Sequence, residues 1–197
     1  MRKVIVNEFM SLDGVVQAPG GVDEDTSGGF AHGGWHLRYF DETSQQSVVQ
    51  AIVDAGAFLL GRRTYEIFAG YWPSAPAEER VIAEPLNAKP KYVASRTLTE
   101  PLDWQNSSLL QGDVAGAVRA LRQEGGGDVH VIGSTELVQR LLEHELVDEL
   151  RLMIDPLVLG GGKRIFRDDA VRRPLRLVHG EVTTTGAILA TYVPAED

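Results

Sequence analysis

The 197-residue sequence contains no cysteine. Disulfide bonds, thiolate metal sites and cysteine nucleophiles are therefore excluded. It also has no apolar run near the ~18 residues that cross a membrane. The apolar segment that follows Arg2 and Lys3 is too short to be the core of a signal peptide. By default, we therefore expect a cytoplasmic protein.

The sequence also lacks a basic excess, because 28 acidic residues outnumber 19 lysines and arginines and give a formal net charge of −9. This charge disfavours a general binder of nucleic acids or of anionic membranes, so any anion site must be a local basic pocket. Only His32 and His36 share a spacing typical of metal ligands, and the glycines between them argue against a helix. We therefore expect no metal site, no nucleic-acid partner and no membrane partner.

The chain contains short apolar segments that alternate with helical patterns over its first two thirds. Apolar residues make up 43% and charged residues 24%, which is typical of a soluble globular domain. The patterns predict strands at residues 4–9, 57–60, 91–94 and 129–132, and helices at 44–55, 65–71, 78–86, after Asp113 and after Thr135. Residues 149–154, 175–182 and 187–193 then predict strands, the last two as a hairpin. We predict one domain over residues 1–197 with an α/β fold, namely three α/β/α layers around a mostly parallel sheet with antiparallel C-terminal strands.

An arginine pair follows one of the predicted strands, in the sequence GRRTYE at residues 61–66. Gly61 allows a tight exit from the strand, and Thr64 is a candidate N-cap for a helix that begins at Tyr65. Two guanidinium groups at a helix N-terminus suit a phosphate, because their planar forks can bind two of its oxygens. The alternative is a solvated or salt-bridged surface pair.

Two further strand exits carry similar residues, in the sequences SRT at 95–97 and GSTE at 133–136. Ligands of parallel sheets bind outside the carboxyl ends of the strands, so the three exits are expected to converge. Together they suit a dinucleotide with one additional phosphate. The GxGxxG fingerprint is absent, which excludes a standard Rossmann site. Each motif alone is weak, since a Gly-Ser pair after a strand is usually a capping turn.

A glycine-rich stretch of residues 14–34 follows the first predicted strand. A loop of this length in a compact domain is usually functional or disordered. We predict that it is a mobile lid over a site, with a surface excursion as the alternative.

In their order along the chain, six segments resemble the dihydrofolate reductase-like superfamily, and most closely the C-terminal reductase domain of riboflavin-biosynthesis deaminase-reductases and its stand-alone relatives. The resemblance covers nearly the whole chain. The segments are SLDG at 11–14, GRRTYE at 61–66, SRT at 95–97, VIGS at 131–134, LVDEL at 146–150 and PLVLGGGKRIF at 156–166.

The resemblance implies a domain that binds NADPH and forms a homodimer. It places Ser95 and Arg96 beside the adenosine 2′-phosphate, and the loop after Asp13 over the nicotinamide. The cofactor-binding residues that it implies are Gly61, Arg62, Arg63, Thr64, Ser95, Arg96, Gly133, Ser134, Thr135, Glu136 and Leu137.

The resemblance also implies hydride transfer from NADPH to a small heterocyclic or ribosylaminopyrimidine-like substrate. Asp13 is the candidate catalytic group, or else a turn-former before Gly14.

Four further residues are candidates for substrate binding. Trp35 and Tyr39 either stack on a heterocycle or cover the core, and Gly161 and Lys163 either bind a substrate phosphate or form a flexible turn. Classical dihydrofolate reductases carry an acid on the first helix that has no equivalent here. The alternative function is therefore a non-catalytic NADPH-binding regulatory module.

Overall fold

The computed structural model describes residues 1–195 and shows one eight-stranded mixed sheet between two layers of helices. The strands, in chain order, are β1 (Val4–Ser11), β2 (Ala57–Gly61), β3 (Lys91–Ala94), β4 (Ser107–Leu110), β5 (Val129–Ile132), β6 (Glu149–Asp155), β7 (Leu175–Val182) and β8 (Ile188–Pro194). Their order across the sheet is β4-β3-β2-β5-β1-β6-β8-β7.

The first six strands run parallel, and β8 and β7 continue the sheet in antiparallel pairing at one edge. β1 is central, pairing with β5 on one side and with β6 on the other. The predicted mostly parallel sheet with antiparallel C-terminal strands is therefore confirmed. The hairpin between β7 and β8 also turns where the sequence predicts, with the amide of Gly186 donating to the Thr183 carbonyl.

The helices divide between the two faces of the sheet according to their apolar residues. They are α1 (Glu42–Asp54), α2 (Arg62–Tyr71), α3 (Arg80–Ala88), α4 (Val114–Gln123) and α5 (Thr135–Glu143). One buried cluster joins β1 and β5 to α4 and α5, through residues such as Val6, Val118 and Leu141. A second cluster joins β2 and β3 to α1, α2 and α3, through residues such as Phe58 and Leu86. No helix within residues 1–195 is both long and apolar enough to cross a membrane.

Two local predictions are wrong. The helix α2 begins at Arg62 with Gly61 as its N-cap residue, so Thr64 lies inside the first turn and does not cap it. The edge strand β4 was not predicted, because its sequence SSLL has only two apolar residues and makes a single parallel pairing, with β3.

Candidate active site

A cavity of about 1110 Å³ lies at the carboxyl ends of the central parallel strands. The structure brings all the predicted cofactor-binding residues to its wall, together with Lys163. Part of the opposite wall comes from the segment of residues 14–34, which we call the lid; its residues from Gln17 to Gly20, and Glu24 and Asp25, line the cavity. The convergence of the strand exits follows from the parallel pairing of β2, β3 and β5.

Three groups fasten the ends of β2 and β5 to each other. The hydroxyl of Ser134 accepts a hydrogen bond from the Gly61 amide and donates one to the Thr64 hydroxyl, both at 2.7 Å. A Cβ atom on Gly61 would lie 2.8 Å from the Ser134 side chain, so only glycine fits at this approach. The hydroxyls of Thr64 and Ser134 therefore hold the cavity wall together, and the wall presents backbone amides to the cavity.

The helix α5 begins directly at this wall. Gly133 and Ser134 have φ values of 61° and 72°, which turn the chain sharply from β5 into the helix. The first amides of a helix have no partner within the helix and favour anions. Thr135, Glu136 and Leu137 thus offer a place for a pyrophosphate, while the exposed Glu136 carboxylate suits the helix dipole and would repel a phosphate beside it.

The arginine pair is engaged by carboxylates of the protein itself. Arg62 donates to both oxygens of Glu66 at 3.0 and 2.9 Å, on the exposed side of α2. Arg63 donates to Asp25 and, at 2.9 Å, to the Ser27 hydroxyl of the lid. The sequence motif therefore contributes a connection between α2 and the lid as well as positive charge at the cavity.

Arg96 differs from this pair, because no residue within 1–195 accepts a hydrogen bond from its guanidinium. It is exposed at the end of β3 and lines the cavity. The preceding Ser95 is buried and its hydroxyl accepts hydrogen bonds from the amides of Thr97 and Leu98, at 3.1 and 3.0 Å. This turn fixes the backbone at Arg96 and leaves the Arg96 guanidinium available for an anion.

Asp25 connects the lid to two other segments. It receives hydrogen bonds from Arg63 of α2 and from Lys163, whose ammonium lies at 2.6 Å. Partial burial opposes the ionisation of Asp25, but the hydrogen bonds from Lys163, Ser27 and Arg63 outweigh it and hold its pKa well below the usual value. Asp25 is therefore an anion that closes the lid against the cavity; the mobility of the lid stays a prediction.

The predicted catalytic Asp13 lies outside the cavity lining. It accepts hydrogen bonds from the Ser11 hydroxyl at 2.7 Å and from the amides of Leu159 and Gly160 at 3.1 and 2.9 Å. Burial raises the pKa of Asp13, but these bonds and the Arg164 guanidinium lower it well below the usual range. A fully bonded, ionised carboxylate is a poor proton donor, so this geometry favours a turn residue and offers no support for the catalytic role.

The predicted substrate residues fall into separate places. Trp35 is buried against Val15 and Phe30, and its indole donates to the Gln17 carbonyl at 2.8 Å. Tyr39 packs against the cluster that contains Met153. Neither ring lines the main cavity, so both rings cover the core. Gly161 lines a smaller cavity of about 440 Å³ beside the lid, and Lys163 lines both cavities.

Sequence reasoning missed two acidic residues of the cavity, Glu8 on β1 and Glu24 in the lid. Glu8 is only 8% exposed, and its Oε1 has no hydrogen-bond partner. Burial and then the charge of Glu24 raise the pKa of Glu8 to about 8. The signal in the sequence is the carboxylate itself, because charged residues are rare in the middle of a strand covered on both faces.

Comparison with known proteins places these observations in a family. The model of the RibD C-terminal domain matches residues 2–189. The uncharacterised protein YyaP of Bacillus subtilis is 27% identical over 193 residues, which cover 97% of this chain and 94% of YyaP.

Solved structures share the fold at lower identity. A proposed riboflavin biosynthesis protein of Shewanella sp. PV-4 is 21% identical, with a TM-score of 0.73 over 98% of this chain and 99% of that one. A pyrimidine reductase-like protein of Corynebacterium diphtheriae is 14% identical, with a TM-score of 0.69 over 100% of this chain and 93% of that one. RibD of Acinetobacter baumannii is 16% identical, with a TM-score of 0.67 over 99% of this chain and 58% of that one.

Proposed function

Because this chain belongs to the RibD C-terminal domain family, we propose that it is an NADPH-dependent reductase of a small heterocyclic or ribosylaminopyrimidine-like substrate. The name of the C. diphtheriae relative, a pyrimidine reductase-like protein, supports the substrate class. The observation that carries the proposal is that the exits of β2, β3 and β5 line one cavity. The exit of β3 carries Arg96, whose guanidinium has no partner within residues 1–195, and the exit of β5 leads into the start of α5.

The residues of the cavity fit a dinucleotide that bears one additional phosphate. The amides of Thr135, Glu136 and Leu137 at the start of α5 would hold the pyrophosphate. Arg96 would hold the 2′-phosphate, since no residue within 1–195 accepts a hydrogen bond from its guanidinium and guanidinium groups bind phosphate in a bidentate manner. A volume of about 1110 Å³ leaves room for a substrate beside the cofactor.

When bound, NADPH supplies the hydride of the reaction, and the protein supplies binding, orientation and electrostatics. The lid forms a wall of the cavity through Gln17 and Asp25 and limits the access of water. Lys163 joins Asp25 at 2.6 Å, and its amide donates to the Gln17 side chain at 3.0 Å, so the segment after β6 and the lid meet as one wall.

Thermal unfolding with NADPH and with NADH tests the cofactor. We expect NADPH to raise the melting temperature more than NADH does, because a ligand at 100 times its Kd stabilises by about 2.7 kcal/mol. Arg96→Ala should weaken NADPH binding by about tenfold or more and leave NADH binding unchanged, since a hydrogen bond to a charged group contributes about 1.5–3 kcal/mol.

Arg119→Ala is the matched control, because Arg119 is an exposed arginine of α4 outside the cavity lining. This variant should bind NADPH and NADH as the wild type does. Equal shifts with NADPH and NADH, or no shift with either, would contradict the proposed cofactor.

The oxidation of NADPH, followed by its absorbance, tests the substrate class. We expect 5-amino-6-(5-phosphoribosylamino)uracil, or another member of a pyrimidine, pterin and carbonyl panel, to be reduced. Binding of NADPH without turnover of any of these compounds would contradict the reductase and would indicate a non-catalytic NADPH-binding module.

A further inference from the structure

Glu8 occupies the centre of the sheet, where β1 lies between β5 and β6. Its register partner on β6 is Leu152, and its side chain shares the α4 and α5 face with Val6 and Met10 because side chains alternate along a strand. Only 8% of the residue is exposed, and it lines the main cavity. A buried carboxyl group of β1 thus forms part of the cavity wall, between the apolar residues Val6 and Met10 on the same face of the strand.

Within residues 1–195, no lysine or arginine pairs with Glu8, although Arg62, Arg96, Arg140 and Arg167 also line the cavity. Lys163 and Arg63 both bind Asp25 of the lid, and Arg151 of β6 binds Glu149 at 2.8 Å. The charged groups that line the cavity within residues 1–195 come from the lid, α2, the exit of β3, α5, β6, the segment after β6 and β7, and among them only Glu24 shifts the pKa of Glu8.

Glu24 favours the protonated form of Glu8. Its Oε2 accepts hydrogen bonds from the amides of Gly20 and Gly21, at 2.7 and 3.0 Å. Burial and the Glu24 charge together raise the pKa of Glu8 to about 8. At neutral pH, Glu8 is therefore predominantly a carboxylic acid, which can donate a hydrogen bond, and its Oε1 still lacks a partner.

We propose that Glu8 is the catalytic acid that hydrogen-bonds the substrate and gives it a proton when the hydride is added. This inference rests on the proposed function. The carbon of a C=N or C=O bond gains the hydride from NADPH, and the π electron pair moves to the nitrogen or oxygen. That atom forms a bond to the Glu8 proton as the O–H bond of the acid breaks, and water restores the proton after product release.

The other acids of the region do not suit this task. Asp13 lies outside the cavity lining and is fully hydrogen-bonded, and Asp25 is held as an anion by two cations. Glu24 is a positioning residue, since its charge adds to the effect of burial in keeping the proton on Glu8, and its own Oε2 is held by the lid backbone. Glu8 combines a retained proton, access to the cavity and an unused oxygen.

A titration of the carboxyl groups tests whether Glu8 is protonated at neutral pH, and it needs no enzymatic turnover. In protein labelled with ¹³C at the glutamate carboxyl carbon, NMR should show one signal with a midpoint near pH 8. This signal should be absent in Glu8→Gln, and its midpoint should move to lower pH in Glu24→Gln. Asp23→Asn is the control, because Asp23 is an exposed neighbour of Glu24 outside the cavity lining, and it should change nothing.

Kinetics with NADPH and 5-amino-6-(5-phosphoribosylamino)uracil then test the transfer. In the wild type, kcat should fall as pH rises through the midpoint of Glu8. Glu8→Gln should lower kcat by about 10²–10⁴-fold and abolish the fall of kcat with rising pH, with little change in KM. Its NADPH-induced thermal shift should match that of the wild type, which shows an intact fold and cofactor site.

The outcomes separate this inference from the proposed function. A Glu8 midpoint near the ordinary 4.5, or an unchanged kcat and pH profile in Glu8→Gln, overturns the role of Glu8. The absence of an NADPH-induced shift in the wild type overturns the proposed function instead. If the wild type binds NADPH and leaves the uracil compound unreduced, the substrate class is contradicted. The midpoint of the Glu8 titration then decides whether Glu8 keeps its proton at neutral pH.

Discussion

Glu8 and Asp25 both contribute carboxyl groups to the wall of the same cavity, and the number of donors around them differs. Asp25 receives hydrogen bonds from Arg63, Ser27 and Lys163, whereas Oε1 of Glu8 has no partner. Burial therefore decides the pKa of Glu8, and hydrogen bonds decide that of Asp25. At neutral pH the wall of this cavity therefore holds Glu8 as a neutral carboxyl group and Asp25 as a carboxylate.

The raised pKa of Glu8 predicts how the stability of the wild type depends on pH. Glu8 takes up its proton at about pH 8 in the folded state and at about 4.5 in the unfolded state. Its stabilising contribution is therefore fully present below pH 4.5 and is lost as pH rises through 8. Glu8→Gln cannot ionise, so its free energy of unfolding should rise relative to that of the wild type between pH 5 and pH 8.

Urea unfolding at pH 5, 6, 7 and 8 measures this difference. Asp23→Asn serves as the control, since this exposed residue should shift the curve equally at every pH. A constant difference between Glu8→Gln and the wild type across the range would show that Glu8 titrates normally in the folded protein.

The sequence predicted the cofactor-binding residues of the cavity better than its acidic residues. Gly61 ends β2, Gly133 follows β5 directly and Arg96 lies two residues after β3, so local sequence and the geometry of a parallel sheet place them together. Glu8 becomes unusual only through long-range contacts, because its burial depends on β5 and β6 and its titration depends on Glu24 of the lid. The sequence left two alternatives for Asp13, a catalytic group and a turn-former, because its four donors include groups about 150 residues away.

The middle of the lid is joined to other segments by the two ion pairs of one residue, Asp25. Asp25 binds Arg63 and Lys163, and Gln17 fastens the start of the lid to its middle by donating to the carbonyls of Asp25 and Ser27 at 2.9 and 3.0 Å. Partly exposed ion pairs contribute modestly and are weakened by salt. A change at Asp25 should therefore release the lid while the sheet stays folded.

Asp25→Ala should accelerate backbone hydrogen exchange in residues 14–34, because the ion pairs of Asp25 with Arg63 and Lys163 are lost and only neutral contacts, such as that of Arg63 with the Ser27 hydroxyl, still join this part of the lid to α2. Exchange in β1 and β5 should remain slow. Asp23→Ala is the matched control in the same segment and should behave as the wild type does. Equal exchange of the lid in Asp25→Ala and in the wild type would show that apolar packing of Phe30 and Trp35 alone holds it.

Elements with strong apolar patterns were predicted with accurate boundaries, as β3, β5 and β7 show. Boundaries that depend on tertiary contacts were not. Thr64 has the residue type of an N-cap, but Ser134 donates to its hydroxyl, and Gly61 in extended backbone precedes the helix. Propensity was overridden there by a contact that spans 70 residues.

The strand β7 forms one edge of the whole sheet, and every residue in it is exposed. Leu177, Val178 and Val182 are 52%, 47% and 69% exposed. An exposed apolar edge strand is a template for association. We therefore propose that a second copy of this chain packs against β7, beside the part of the cavity lined by His179 and Glu181.

Leu177→Arg should convert a homodimer into a monomer, because it places a charge in the proposed interface. Size-exclusion chromatography with light scattering measures the mass. Val81→Arg replaces an apolar residue of α3 that is 49% exposed, and it should leave the dimer intact. A wild-type mass of one 21.5 kDa chain would contradict the proposed second copy.

The position of β1 has a consequence for the synthesis of the chain on the ribosome. β1 is the first strand to leave the exit tunnel, yet both of its partners, β5 and β6, lie between residues 129 and 155. Its apolar residues, among them Val4 and Val6, must therefore wait unpaired until about two thirds of the chain has been made. Such late pairing of distant segments slows folding and exposes a nascent chain to aggregation.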